Sequence, residues 1–280
     1  MNPIPEKVLV VKDSGGNEAV TVRVDITLRK MFEQKPMTRW DAPYWHPRYD
    51  DILPLLDKWN AKTLEEIEGK GCIISGDHVR PSRGEKKGYG LNTGIEYYET
   101  KNFLLTGYDY SKIKECSKNA YERLRYTAVN QYDILISCAG VGGVGKARSC
   151  LITHRPKMKS CTGDVFIIRL TRLNPFFVYI LLNSKICKNQ IMRNRSGVGT
   201  ENINTDQALS LRVPIMSKHI LAHIEKSYDR LSSYHDKAMD AKLKGDEVNY
   251  KKNIATAERM LRDLITRTES VIRDEKDDIV

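Results

Sequence analysis

Long uncharged stretches are missing from this 280-residue chain. No window approaches the roughly 18 consecutive apolar residues that a membrane-spanning helix needs, so no membrane partner is expected. The opening Met1-Asn2-Pro3-Ile4-Pro5-Glu6 lacks the charged-then-apolar layout of a secretory signal, and the expected compartment is the cytoplasm. The six cysteines (Cys72, Cys116, Cys138, Cys150, Cys161, Cys187) include no Cys-x-x-Cys pair, which argues against zinc. Most lie in apolar runs and read as buried thiols; a Cys150–Cys161 disulfide would be out of place in a reducing compartment. The six histidines are scattered and suggest no catalytic triad. No internal repeat is present. Acidic residues are in deficit: 36 Asp and Glu against 46 Lys and Arg leave a net charge of +10. A surface of that sign concentrates polyanions through counterion release, which makes nucleic acid the natural partner and charge for solubility alone the bland alternative. The length leaves room for one large or two modest domains.

Along the chain, Val8-Leu9-Val10-Val11 and Val20-Thr21-Val22-Arg23-Val24 flank a Ser-Gly-Gly-Asn turn and predict a hairpin. Ile52, Leu55, Leu56 and Trp59 fall on one face of a short helix. From Lys62 to Tyr110 the text reads as strand and loop, with Leu64-Glu65-Glu66-Ile67 and Cys72-Ile73-Ile74 extended. A polar stretch from Arg80 to Gly90 carries Arg80, Ser82, Arg83, Lys86, Lys87 and Tyr89 among glycines. It is either a solvated loop or one whose cations neutralise phosphates. Asp164 to Leu170 is a strong strand. Asn174-Pro175 caps a helix on which Phe177, Ile180, Leu181, Ser184 and Cys187 or Ile191 recur at helical spacing. A second glycine loop follows, from Arg193 to Asn204, with Arg193, Arg195, Ser196, Thr200 and Asn202 suited to phosphates or base edges; a plain helix-to-strand connection is the competing reading. From Ser217 onward Ile220, Ile224, Leu231 and Ala238, then Ile254, Leu261, Leu264 and Val271, recur at helical steps among dense charge. An unbroken helix over 218–273 would run about 80 Å. Gly245-Asp246 is a stop followed by an N-cap, so one rod and two antiparallel helices stay open, either leaving an apolar face for a partner.

The run Tyr132 to Cys150 sets an apolar stretch before Gly140, Gly142, Gly143, Gly145, Lys146 and Arg148. Gly140, four intervening residues, Gly145 and Lys146 satisfy most of a phosphate-binding pattern. That pattern also needs a hydroxyl after the lysine and a helix directly behind it. Ala147 stands at the hydroxyl position, and Arg148 to Pro156 reads as a second strand, so a hairpin tip with cations at its base is expected. Asn174-Pro175-Phe176-Phe177 lacks the second proline of the amino-methyltransferase signature, and Glu68-Gly69-Lys70 lacks the acidic partner of a nuclease site.

The order of these parts resembles a target recognition domain of type I restriction-modification specificity subunits. The likeness rests on Tyr-Asp-Ile-Leu-Ile-Ser-x-x-Gly-x-x-Gly at 132–143, Lys146, the strand at 164–170, Asn-Pro-Phe-Phe-Val-Tyr-Ile-Leu-Leu-Asn-Ser at 174–184 and Ser-Gly-Val-Gly-Thr-Glu-Asn-Ile-Asn at 196–204. Leu211-Arg212-Val213-Pro214 before the long helix, and Arg39 to Tyr49, continue it over residues 39–240. The resemblance implies a non-catalytic reader of double-stranded DNA without a cofactor of its own. It also implies a methyltransferase subunit and a restriction (translocase) subunit as partners. Family members typically carry two recognition domains and two helical segments. One of each is legible here, which suggests a half-size subunit, pairing with itself or with a second half, or a related single-domain reader.

The expected architecture is therefore α+β: an N-terminal hairpin extension over 1–38, a mixed α/β recognition domain over 39–215 and a helical spacer or dimerisation segment over 216–280. The candidate DNA-binding residues are Arg80, Ser82, Arg83, Lys86, Lys87, Tyr89, Gly142, Lys146, Arg148, Arg193, Arg195, Ser196, Thr200 and Asn202. No catalytic or metal-ligating residue is expected. A nucleotide-dependent enzyme and a coiled-coil assembly protein without DNA binding are the alternatives.

Overall fold

The computed structural model describes residues 8–12, 18–23, 49, 52–78, 93–139, 148–154, 159–194 and 202–274. The chain forms two compact units, Met1–Pro54 and Leu55–Val280. In the first, β1 (Val8–Lys12) and β2 (Glu18–Arg23) make the antiparallel hairpin that their β-branched runs predict. Helix α1 (Ile52–Lys58) buries Ile52 and Leu56, the face given by their spacing.

Strand β3 (Lys62–Thr63) leads into α2 (Leu64–Glu68), where the sequence reads as extended. A capping box overrides that reading: the Glu66 N–H donates to Thr63 Oγ1 (3.1 Å) and the Thr63 N–H to Glu66 Oε2 (2.7 Å). Next come β4 (Ile73–Ser75), β5 (Glu96–Tyr98), β6 (Phe103–Leu104), β7 (Gly107–Tyr108), β8 (Lys114–Glu115) and α3 (Lys118–Arg123). They are followed by β9 (Ile134–Ser137), β10 (Ser149–Leu151), β11 (Ser160–Cys161) and β12 (Val165–Ile168). The centre is a four-stranded sheet in the order β10-β9-β12-β4, antiparallel throughout. Every residue of β9, β10 and β12 is buried, which explains why their apolar runs do not alternate with polar residues. Leu135, Cys150, Cys161, Val165 and Ile167 share one core cluster with Tyr98, Phe103 and Tyr108. All six cysteines are buried free thiols, Cys150 and Cys161 included.

Helix α4 (Pro175–Asn183) begins as the sequence predicts, with Asn174 Oδ1 accepting from the Phe177 N–H at 3.0 Å and Pro175 in the first turn. It is buried from Phe176 to Asn183, as a helix apolar all round must be. The helical pattern does not run on unbroken to Ile191. Ser184 leaves the helix at φ −75°, ψ 159°, and its Oγ accepts from the Cys187 N–H at 3.2 Å, so it caps a separate helix, α5 (Lys185–Asn194). After α6 (Thr205–Leu209) and β13 (Arg212–Val213) come α7 (Lys218–Leu243) and α8 (Glu247–Ile272).

Of the two arrangements open for the C-terminal segment, the chain adopts the helical pair. Gly245 turns at φ +74°, where a side chain is strained, and Asp246 Oδ1 accepts from the Asn249 N–H at 3.0 Å. Each helix has 26 residues, or about 39 Å. The expected uncovered apolar face is largely absent, because the chain covers it itself. Ile220, Ile224, Leu231, Ala238, Leu261, Leu264 and Val271 are buried. The Tyr228 ring meets Phe176 at 5.4 Å and Tyr179 at 5.5 Å, His235 Nδ1 lies 2.9 Å from Thr106 Oγ1, and Trp59 Nε1 donates to Ile272 O at 2.7 Å. Large exposed apolar side chains of the pair are confined to Leu243 and Val248 beside the turn, among the described residues. The fold is thus α+β with a long C-terminal helical pair, and among the described residues no helix is long and apolar enough to cross a membrane.

Candidate nucleic-acid interface

One end of the four-stranded sheet gathers the chain segments that the sequence marks. The register sets Ser137 opposite Val165, Ser75 opposite Phe166 and Ser149 opposite Ile136. In an antiparallel sheet this means that β4 and β9 finish, and β10 and β12 start, at the same end. The basic stretch containing residues 80–89 therefore departs just beyond β4, and the glycine stretch 140–147 both departs and returns there.

Backbone hydrogen bonds tie these ends together. The Ser137 N–H donates to Arg148 O at 2.9 Å, Cys138 to Asp164 O at 3.0 Å, Gly76 to Val165 O at 2.8 Å and Asp77 to Cys161 O at 3.3 Å. Gly76 packs so closely on the 162–164 turn that a Cβ would sit 2.0 Å from Thr162 O; only glycine fits. The second glycine loop returns to the same place, because the Ile203 N–H donates to Cys138 O at 3.0 Å and sets Asn202 beside the end of β9.

Of the candidate residues, Arg148 and Asn202 are exposed at this end, flanking β9 from its two sides. Arg193 is half-buried in the last turn of α5, whose end is fastened to α6 by Asn194 Nδ2 donating to Ser210 Oγ at 3.1 Å. Arg80, Ser82, Arg83, Lys86, Lys87, Tyr89, Gly142, Lys146, Arg195, Ser196 and Thr200 lie outside the described residues. The sequence reading misses Tyr126, exposed by 58%, whose hydroxyl donates to Asp77 Oδ2 at 3.0 Å at the root of the basic stretch. No spacing signal links two residues so far apart in the chain.

The competing chemical readings each meet a structural fact. A phosphate-binding loop needs a helix behind its lysine, whereas Ser149–Leu151 is a strand antiparallel to β9. Asn174 spends its side chain on the helix cap. Glu68 accepts from the N–H groups of Thr171, Arg172 and Leu173 (2.9, 2.9 and 2.7 Å) and from Thr171 Oγ1 (2.8 Å). Burial works against its charge, and those donors overcome it and hold the carboxyl below its usual value, as suits a structural anion. His154 lies 2.6 Å from the Tyr110 hydroxyl; partial burial, with Lys159 and His235 nearby, pushes it down to about 4, so it is a neutral, half-buried ring. Among the described residues no group of His, Cys, Asp and Glu is placed to hold a metal ion.

No protein-family model matches the chain, and no curated protein matches it. Among solved structures, the type I restriction-modification system S subunit from M. genitalium is similar to it at 14% sequence identity and a TM-score of 0.42. That similarity covers 65% of this chain and 40% of the other, so the chain spans less than half of the length of that subunit.

Proposed function

We propose that the chain is a non-catalytic, sequence-specific DNA-recognition subunit of the type I restriction-modification kind, directing methyltransferase and restriction subunits to a target. The observation that carries this reading is the gathering, at one end of one sheet, of the roots of both glycine loops and the basic stretch. Cations placed there neutralise phosphates and fix register, while the short hydroxyl and amide side chains of the 196–202 loop reach base edges. The net charge of +10 supplies the long-range attraction.

In this account residues 39–215 form the recognition part, 216–280 the helical part and 1–38 an extension, acting in the cytoplasm. The helical pair docks the methyltransferase on the faces it leaves free. A chain with a single recognition part reads a bipartite site by pairing with a second copy or a second half-subunit; self-pairing gives a symmetric site. Methylome sequencing of cells with and without the gene tests this. Loss of one modified motif on deletion is the expected result, and an unchanged methylome in a strain whose neighbouring methyltransferase is expressed counts against it.

A further inference from the structure

A cavity of about 450 Å³ opens beside β10, walled by Lys101, Phe103, Leu104 and Leu105 on one side and Arg148, Ser149, Asn183 and Lys188 on the other. Its size falls in the range of small-ligand sites and is far larger than one phosphate. Three of its walls are cations and none is a carboxylate among the described residues. Lys101 is shared with Glu99, which it meets at 2.8 Å, so Arg148 and Lys188 carry most of the uncompensated charge. Phe103, Leu104 and Leu105 supply an apolar surface next to that charge.

Asn183 adds a directional group. It is only 7% exposed, and its Nδ2 donates to Ser149 Oγ at 3.0 Å and to Tyr179 O at 2.9 Å. A backbone carbonyl only accepts, so the atom facing Tyr179 is the NH₂ group, and the Oδ1 acceptor is left for the cavity. Cations for a phosphate, an apolar wall for a flat ring and one acceptor for a ring-edge N–H together describe a nucleotide.

We propose that this cavity binds a single nucleotide, its phosphate between Arg148 and Lys188 and its base against Leu104 and Leu105, with Asn183 Oδ1 accepting from the base edge. The same chemistry is offered by a free nucleoside monophosphate and by a nucleotide unstacked from a DNA strand. The proposal does not rest on duplex recognition: a protein that binds monophosphates yet ignores paired duplex keeps the cavity and removes the DNA-reader account.

The test is calorimetric titration of the full chain with dAMP, dCMP, dGMP and dTMP, with the four nucleosides, and with sodium phosphate. At least one monophosphate binds tenfold or more tighter than its nucleoside and than phosphate. Lys188→Ala and Lys101→Ala each weaken it, the former about tenfold, as loss of a charge-assisted contact implies, with unchanged thermal melting. A parallel arm compares a fully paired duplex with one carrying an extrahelical nucleotide. A preference for the latter that vanishes in Lys188→Ala identifies a strand as the source, and monophosphate binding without that preference identifies the free pool. Monophosphates no tighter than phosphate together with no duplex preference overturn the proposal, as do two lysine variants that bind like the unaltered chain.

Discussion

Asp133 is 2% exposed and holds the start of β9, at the end of the sheet opposite the candidate interface. Arg169 grips it with Nε at 3.0 Å and Nη2 at 2.7 Å and also donates to Ala128 O at 2.8 Å, while the Asn130 N–H donates to Asp133 Oδ2 at 2.7 Å. Asp133→Ala leaves a partly buried guanidinium without its anion, and denaturant unfolding should show a loss of about 3–5 kcal/mol. The paired change Asp133→Leu with Arg169→Met should cost clearly less, since no charge is then stranded.

Two histidines, His235 buried and His154 half-buried, set a pH dependence. Burial lowers both His154 and His235, although the Tyr108 carbonyl, Asp236 and Asp109 raise His235 in part. Above the ordinary histidine value of about 6.5 both rings are neutral folded or unfolded, and stability is at its full level. Below it the unfolded chain takes up protons that the folded chain refuses, so stability falls as pH drops from about 6.5 towards the folded value, about 4 for His154. The melting temperature should decline over that window, and His154→Gln should flatten the part of the decline that His154 contributes, leaving the part due to His235.

Among the elements, the turn between α7 and α8 gives the cleanest test. Gly245→Ala places a side chain at φ +74° with nothing nearby to clash, so the cost is the backbone strain alone, about 1–2 kcal/mol by denaturant unfolding. Gly76→Ala differs in kind: the added carbon meets the Thr162 carbonyl at 2.0 Å, and the folded yield should collapse. The Gly245 stop was legible in the sequence as a local signal, a glycine followed by an N-cap Asp, but that signal left one rod and two antiparallel helices open, and only packing against the rest of the chain selects the pair. The α4 start was legible as a local signal too, Asn174-Pro175 being a cap that needs no distant partner. The α2 segment was misread because its apolar residues are too few for a period, while the Thr63–Glu66 pair that decides it lies at the segment's edge. Ser184 was hidden because a serine at helical spacing looks alike whether it continues one helix or caps the next.

At the scale of the whole molecule, what joins distant segments is not legible from residue patterns. Glu68, which the sequence sets aside as a nuclease residue for want of an acidic partner, fastens α2 to the segment after β12, a role no local pattern announces. Tyr126 with Asp77, and Lys101 and Lys188 beside Arg148, come together only through the sheet. The helical pair was legible as helix from its periodicity. That its apolar stripe closes on Phe176, Tyr179 and Thr106 was not, since periodicity reports an apolar face and not what covers it. The candidate interface stands between these cases: its loops were marked by residue type, and the meeting of the described residues that flank them follows from strand register.

Duplex selection from a randomised pool by the purified chain, alone and with a co-expressed methyltransferase subunit, repeated across a salt series, tests whether the end of the sheet reads DNA sequence. The account predicts enrichment of one motif and affinity that falls steeply with salt. Arg148→Ala should weaken every duplex and reduce the salt slope by about one, while Asn202→Ala should shift the enriched motif. A pool that remains random after selection, with and without the methyltransferase, contradicts it.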